Sequence, residues 1–270
     1  MDRRPIGVFD SGLGGLTAVR ELARLMPEEE LVYFGDTGRV PYGGRSRDIL
    51  VQYARQDVRF LRSFDPKAIV IACGTVSSTA LDVLRRENDI PVFGVVEPAA
   101  RAAAECSANG RVGLIGTKAT IRSGAYEREL LRLRPDAVVT AEACPLFVPL
   151  VENGRFRPGD SVVETVAAEY LAPMKAQGVD TLILGCTHYP LIKEMIGWYM
   201  GKNVTLVDPA QTASHHLERT LSEHGLKGDH EKGEAHFYVS DVPDSFAQTA
   251  DLFLGEYKGG LIDQVAIEKY

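Results

Sequence analysis

Short apolar runs alternate with longer amphipathic stretches along almost the whole chain. The runs at 5–9 (PIGVF), 30–35 (ELVYFG), 68–73 (AIVIAC), 91–96 (PVFGVV), 111–116 (RVGLIG), 137–142 (AVVTAE), 181–186 (TLILGC), 204–208 (VTLVD) and 235–240 (AHFYVS) are rich in Val and Ile and mostly unbroken by polar residues. Runs of this kind suit strands covered on both faces, as in parallel sheets. Between them lie helical patterns, clearest at 160–177, DSVVETVAAEYLAPMKAQ. There Val162, Val166 and Tyr170 step by four along one face, and Val163, Ala167 and Leu171 along its neighbour. Ser161 and Glu164 fit a capping box, Pro173 is expected to bend or end the helix, and Gly178 to supply the stop. Strand–helix alternation predicts an α/β fold with right-handed crossovers.

A faint internal repeat runs through this pattern. GVFDSG (7–12) resembles GLIGTK (113–118): an apolar strand, then small polar residues at the turn. Asp10 precedes Cys73 by 63 positions and Gly116 precedes Cys186 by 70. Each half therefore has a strand with a polar exit loop, and later a strand with a cysteine in its exit loop. Two similar α/β lobes with mostly parallel sheets would bring these loops together in an interlobe cleft.

At 270 residues the chain is long enough for one large domain or two of ordinary size. Hydrophobic content of 45% and charged content of 25% are those of a globular protein. A net charge of −7 without a basic run gives no reason to expect nucleic acid or an anionic membrane as partner. The N-terminus, MDRRPIGVFD, shows no signal-peptide pattern, and no apolar run approaches the roughly 20 residues of a membrane span. The cysteines are Cys73, Cys106, Cys144 and Cys186, with no CxxC pair. That argues against a disulfide framework and a zinc knuckle, and favours a cytoplasmic setting for free thiols. No histidine–cysteine spacing defines a metal site; His215 and His216, in SHHLERTL, are expected to face solvent.

In open α/β sheets ligands bind beyond the carboxyl ends of the strands. Polar clusters fall at those ends: Asp10 and Ser11, Asp36 with Pro41, Tyr42 and Gly43, Cys73 and Thr75, Thr117 and Thr120, and Cys186, Thr187 and His188. DSGLGG is neither a GxGxxG nor a GxxxxGK[ST] loop; it is either a tight βα turn or a backbone cradle for a carboxylate. A cysteine in an apolar strand is more often a small buried hydrophobe than a catalyst; Cys106, in ARAAAECSANG, reads as a helix-face residue and Cys144, before Pro145, as structural. Cys73 and Cys186 differ, since both sit at strand exits just before expected helix starts, where a helix dipole can favour a thiolate. Two thiols and a hydroxyl-rich cleft suggest proton traffic at carbon. One thiolate removes an α-proton from one face while a thiol on the other returns one, with Asp10 and His188 placed to assist.

The motifs GVFDSGLGGLT, YFGDTGRVPYGGRS, IVIACGT, GVVEPA, GTKAT, CPLFVPLVENG and LGCTHYPLI occur in one order over nearly the whole chain. In that combination the sequence resembles the bacterial glutamate racemases. The resemblance implies a cofactor-independent racemase that interconverts L- and D-glutamate, supplies a peptidoglycan precursor in the bacterial cytoplasm, uses no metal and forms homodimers. It implies two α/β lobes, 1–96 with 208–270 and 97–207, with the active site between them. It assigns Cys73 and Cys186 as the acid/base thiols, the first serving the D- and the second the L-enantiomer. Asp10, Glu152 and His188 match positions that assist proton transfer, and Glu152 carries no signal of its own in LVENG. Ser11, Pro41, Tyr42, Gly43, Thr75, Thr117, Thr120 and Thr187 match ligand-contacting positions, as does Gly74 by place. Gly74 is also the one clear departure. The common pattern after the first cysteine is Asn-Thr-Ala-Ser, and here it is Gly74-Thr75-Val76-Ser77. Loss of the asparagine is expected to remove a polar contact to the substrate and to open space beside Cys73, where water can substitute.

Three other readings compete. An aspartate or hydantoin racemase would use the same pair of thiols. A Cys–His hydrolase would use Cys186 and His188 and leave Cys73 idle. A non-catalytic amino-acid-binding protein would need neither.

Overall fold

The computed structural model describes residues 1–255, 257, 260 and 262–270, with side chains at all of these except 243–245 and 248. Ten strands are described: β1 (Ile6–Asp10), β2 (Leu31–Gly35), β3 (Ala68–Ile71), β4 (Val92–Gly94), β5 (Arg111–Gly116), β6 (Val138–Ala143), β7 (Thr181–Gly185), β8 (Thr205–Val207), β9 (Ala235–Val239) and β10 (Ile262–Gln264). They form a six-stranded sheet, β10-β9-β2-β1-β3-β4, and a four-stranded sheet, β6-β5-β7-β8. Every described pairing is parallel. The order β2-β1-β3-β4 recurs as β6-β5-β7-β8, so the weak repeat in the sequence is a full repeat in topology. β3 and β7, each followed by a cysteine, hold equivalent places.

β1, β2, β3 and β7 are buried along their whole lengths, which is why they read as unbroken apolar runs. Helices fill the faces. Leu16–Leu25 follows β1 and buries Leu16, Val19 and Leu22; Arg47–Arg62 buries Leu50, Ala54, Val58 and Leu61, the three- and four-residue steps of one helical face. One apolar cluster runs from Ile6, Val8 and Leu22 of the first sheet's layer to Phe147, Leu171, Leu182 and Ile196 of the second's. The two sheets thus share a continuous core. The chain crosses between them twice: through the helix Val96–Cys106 after β4, and through Pro209–Glu223 after β8.

Several expectations are corrected. The run 91–96 is strand only to Gly94, because Val96 already opens a helix. The helix Ser161–Ala176 is capped by Asp160, whose carboxylate accepts from the Val162 N–H, and Glu164 accepts from Gly159 instead. The cap therefore lies one residue before Ser161; a carboxylate in this place also complements the helix dipole. Pro173 does not end the helix but lies within it; the stop comes at Gly178, as expected, with φ +63°. His215 is exposed, but His216 is half-buried and packs edge-on against Phe93. As expected, Cys106 lies on a helix, where it is exposed, and Cys144 is buried. No described helix is long and apolar enough to cross a membrane.

Candidate active site

The cleft is built from the carboxyl ends of β1, β2, β3, β5 and β7. In the first sheet, Asp10 ends β1 in complete burial. Its Oδ2 accepts the Gly12 N–H at 3.0 Å. The loop that follows is held from outside: the Tyr33 hydroxyl donates to the Gly12 carbonyl at 2.5 Å, and Thr17 Oγ1 donates to the Gly14 carbonyl at 2.8 Å. Burial pushes the Asp10 carboxyl up, against the pull of His188 and the Gly12 N–H. DSGLGG is thus a tight βα turn whose Gly12 and Gly15 amides both turn toward Asp10.

Cys73 follows β3 and stands at the N-cap of the short helix Gly74–Thr79. Its Sγ lies 3.7 Å from Ser11 Oγ. Burial drives the thiol up to about 12, and the Asp10 carboxylate adds to this. Cys186 follows β7 with different neighbours. Its Sγ lies 3.9 Å from His188 Nδ1, and His188 Nε2 donates to Glu152 Oε1 at 2.9 Å. Burial lowers the His188 pKa, but the Cys186 and Glu152 contacts outweigh it and raise it to about 10. Phe253 stacks edge-on against the imidazole at 5.3 Å between centroids. Glu152 ends the helix Phe147–Glu152, which buries Phe147 and Val151 and leaves the carboxylate 37% exposed.

Hydroxyl groups join the two halves. Thr75 Oγ1 lies 2.9 Å from Thr117 Oγ1 and 3.5 Å from Thr120 Oγ1, and Thr117 lies 3.0 Å from Thr120. Thr75 belongs to the first sheet's loops and the other two to the second's, where Thr117 caps the helix Lys118–Ser123. Thr187 Oγ1 donates to Asp10 Oδ1 at 3.5 Å, a second link across the cleft. Gly43 rests on the Thr117 side chain: a Cβ there would stand 2.9 Å from Thr117 Cβ.

The remaining sequence candidates fall differently. Pro41 is exposed, and the Tyr42 side chain turns inward. Its hydroxyl bonds Asp36, which also accepts from Arg39 Nε at 2.6 Å and Ser240 Oγ at 2.8 Å. Arg39 further binds Asp57 at 3.0 Å. Burial, with Asp36 beside it, holds the Asp57 carboxyl well above its ordinary range. Tyr42 therefore anchors the PYG turn, and only the turn's backbone and neighbours remain to meet a ligand. Gly74 overturns the expectation of open space beside Cys73. A Cβ at position 74 would lie 2.4 Å from the Gly185 carbonyl oxygen; the opposite strand end fills the place.

Sequence reasoning missed Tyr33, which lies inside β2, Phe253, which lies on the C-terminal helix, and the inward turn of the Tyr42 side chain. It also missed Tyr126 and Asp208, which line a narrow cavity behind Gly74 and Cys186.

Residues 19–217 match the model of the Asp/Glu/hydantoin racemase family. The glutamate racemase of Geobacter metallireducens is 45% identical over 269 residues, covering 99% of this chain and 98% of that protein. A Francisella tularensis glutamate racemase, solved in complex with D-glutamate, superposes with a TM-score of 0.93 at 39% identity over 100% of both chains. A Bacillus anthracis glutamate racemase does so with a TM-score of 0.93 at 37% identity over 98% of both. Carried by its sequence end to end and by its fold, the chain belongs to the glutamate racemases of the Asp/Glu/hydantoin racemase family.

Proposed function

We propose that the protein interconverts L- and D-glutamate by proton transfer at Cα between Cys73 and Cys186. The observation that carries this reading is the placement of the two thiols. They occupy equivalent strand exits in two sheets of the same order, and the backbone beside one touches the backbone beside the other. A substrate between these loops presents opposite faces of its α-carbon to two sulfurs.

The residues divide the work by charge. Cys73, buried and next to Asp10, holds its proton. Cys186 has beside it a histidine that is imidazolium at neutral pH, the counter-ion a thiolate needs. In this form Cys186 abstracts the α-proton and Cys73 delivers one to the opposite face; the reverse reaction exchanges the roles. The pair of Thr75 and Thr117 with Ser11 and Thr187 supplies neutral donors for the substrate carboxylates, and Thr120 backs Thr117. Neutral donors suit an anion that must also leave. The mechanism asks nothing of a cofactor. The two lobes are 1–96 with 208–270 and 97–207. D-glutamate formation for peptidoglycan, a cytoplasmic location and a homodimer follow from the same family reading.

Single Cys73→Ser and Cys186→Ser variants test it. Each is expected to keep the fold by circular dichroism and to lose racemisation of both glutamate enantiomers by at least about 100-fold, as removal of one acid/base group does. A Cys73→Ser enzyme with wild-type turnover would instead favour chemistry at Cys186 alone. Preferred turnover of aspartate would move the substrate assignment and leave the thiols in place.

A further inference from the structure

Two carboxyl groups are buried side by side beneath the turn that carries Pro41, Tyr42 and Gly43. Asp36 follows β2, and Asp57 lies on the buried face of the helix Arg47–Arg62; both are fully buried. One guanidinium serves the two. Arg39 Nε donates to Asp36 Oδ2 at 2.6 Å and Nη2 to Asp57 Oδ1 at 3.0 Å, while Nη1 is taken by Gln56 Oε1 at 2.5 Å. If both carboxyls were ionised, one buried negative charge would lack a counter-ion, which is costly.

Hydrogen atoms are short by one as well. Tyr42 has a single O–H, and its oxygen bonds Asp36 Oδ2 while lying 3.4 Å from Asp57 Oδ2. Asp36 also accepts from Arg39 and, at 2.8 Å, from Ser240 Oγ. Donors converge on Asp36, so the Tyr42 proton points there. Among the described residues no other donor reaches Asp57 Oδ2. A proton on that oxygen turns a repulsive contact into an O–H directed at Tyr42. The charged and titratable groups that face Asp57 are Asp36, Arg39 and Tyr42 from the turn and Asp10 from the end of β1. Burial, with the Asp36 charge, holds the proton in place against the pull of Arg39.

We propose that Asp57 is a positioning residue that keeps its carboxyl proton in the folded protein and donates it to Tyr42, so that the chain Asp57–Tyr42–Asp36 fixes the 41–43 turn at the edge of the cleft. This rests on the reading of that cleft as the glutamate site, where the turn meets the substrate. Gly43 lies against the Thr117 side chain, and Thr117 Oγ1 is 2.9 Å from Thr75 Oγ1. Without the Asp57 donor the Tyr42 anchor slackens and the turn moves relative to these hydroxyls. The thiols stand on other loops, so the loss falls on binding, in KM, more than on kcat.

Asp57→Asn gives the test, because an amide has the size of the neutral acid, keeps an N–H for Tyr42 and keeps an oxygen for Arg39. The rival description is an Arg39–Asp57 ion pair, and the two differ in sign. Removing one partner of a buried ion pair destabilises a protein. A carboxyl whose folded pKa lies above its unfolded value, near 3.9, instead lowers stability as the pH rises from the unfolded value to the folded one. Asp57→Asn is therefore expected to melt above wild type at neutral pH, by a margin that shrinks as the pH falls toward the unfolded value. Wild type at neutral pH is expected to show the infrared carbonyl stretch of a protonated carboxylic acid, shifted in D2O and lost in Asp57→Asn. Asp57→Ala is expected to raise KM for L-glutamate about threefold or more with kcat changed less, and the asparagine to rescue KM. If the position-57 variants do not fold, Tyr42→Phe decides the matter, since loss of the acceptor moves the acid band to higher wavenumber. A wild type without the band, a band that survives Asp57→Asn or stays put in Tyr42→Phe, an Asp57→Asn protein that melts below wild type, or an unchanged KM in Asp57→Ala would overturn the proposal. Racemisation that survives Cys73→Ser would instead overturn the two-cysteine reading and leave the band and the melting shift as they are.

Discussion

Cys73 and Cys186 are the same residue in the same topological place, yet their surroundings carry opposite charge. Asp10 stands near the first and the His188–Glu152 pair beside the second. Glu152 is one of the groups that raise His188 to about 10. Replacing it with Gln should therefore shift the alkaline limb of the pH–kcat profile to lower pH, without moving the acid limb; an unmoved alkaline limb would separate His188 from the chemistry. The same histidine affects stability. Its folded pKa is raised, so its contribution is fully present below the unfolded value near 6.5 and is lost as the pH climbs through about 10. Melting temperature measured over that interval should fall more steeply in wild type than in His188→Gln. Much of this site was legible beforehand: a cysteine and hydroxyls at a strand exit mark themselves by type and place. Glu152 was not, because its partner lies 36 positions away, and a lone carboxylate before Asn-Gly looks like any surface residue. The environment of Gly74 was also illegible. A missing side chain reads as free space in a sequence, whereas the fold filled it with the neighbouring backbone.

At the scale of elements, the central strands announced themselves through burial on both faces, and the chain order of strands and helices followed. The edge did not. β10 is three residues, Ile-Asp-Gln, two of them exposed, so it carries neither an apolar run nor an alternation to detect. Helix ends were misplaced where two capping residues stand side by side, as Asp160 and Ser161 do. Asp160 also pairs with Arg155 at 2.8 Å. Asp160→Ala should destabilise the protein by about 1 kcal/mol, the usual value of an N-cap, and Ser161→Ala by much less. Denaturant unfolding of the two variants distinguishes them; equal losses would return the cap to Ser161.

The whole molecule depends on two junctions, the cleft and the base of the first sheet. At the base, Lys67 is buried against Glu29 at 2.5 Å and donates to the carbonyls of Asp2 at 2.7 Å and Leu226 at 2.9 Å. One ammonium thereby ties the N-terminus, the approach to β2 and the segment after the helix Pro209–Glu223. Lys67→Met leaves Glu29 buried without its partner and should cost about 3–5 kcal/mol, read as a drop in unfolding free energy; a loss under about 1 kcal/mol would mean that water reaches Glu29. At the cleft, the repeated sheet order puts Cys73 and Cys186 at equivalent strand exits, and the proposal concerns the proton that passes between them. The most direct measurement is racemisation of L- and of D-glutamate in D2O, with the product and the remaining substrate analysed for deuterium at Cα. Transfer by two thiols that exchange with solvent predicts deuterium in the product of both directions, with little in the residual substrate early in the reaction. Product that forms at the normal rate and carries no deuterium would contradict it.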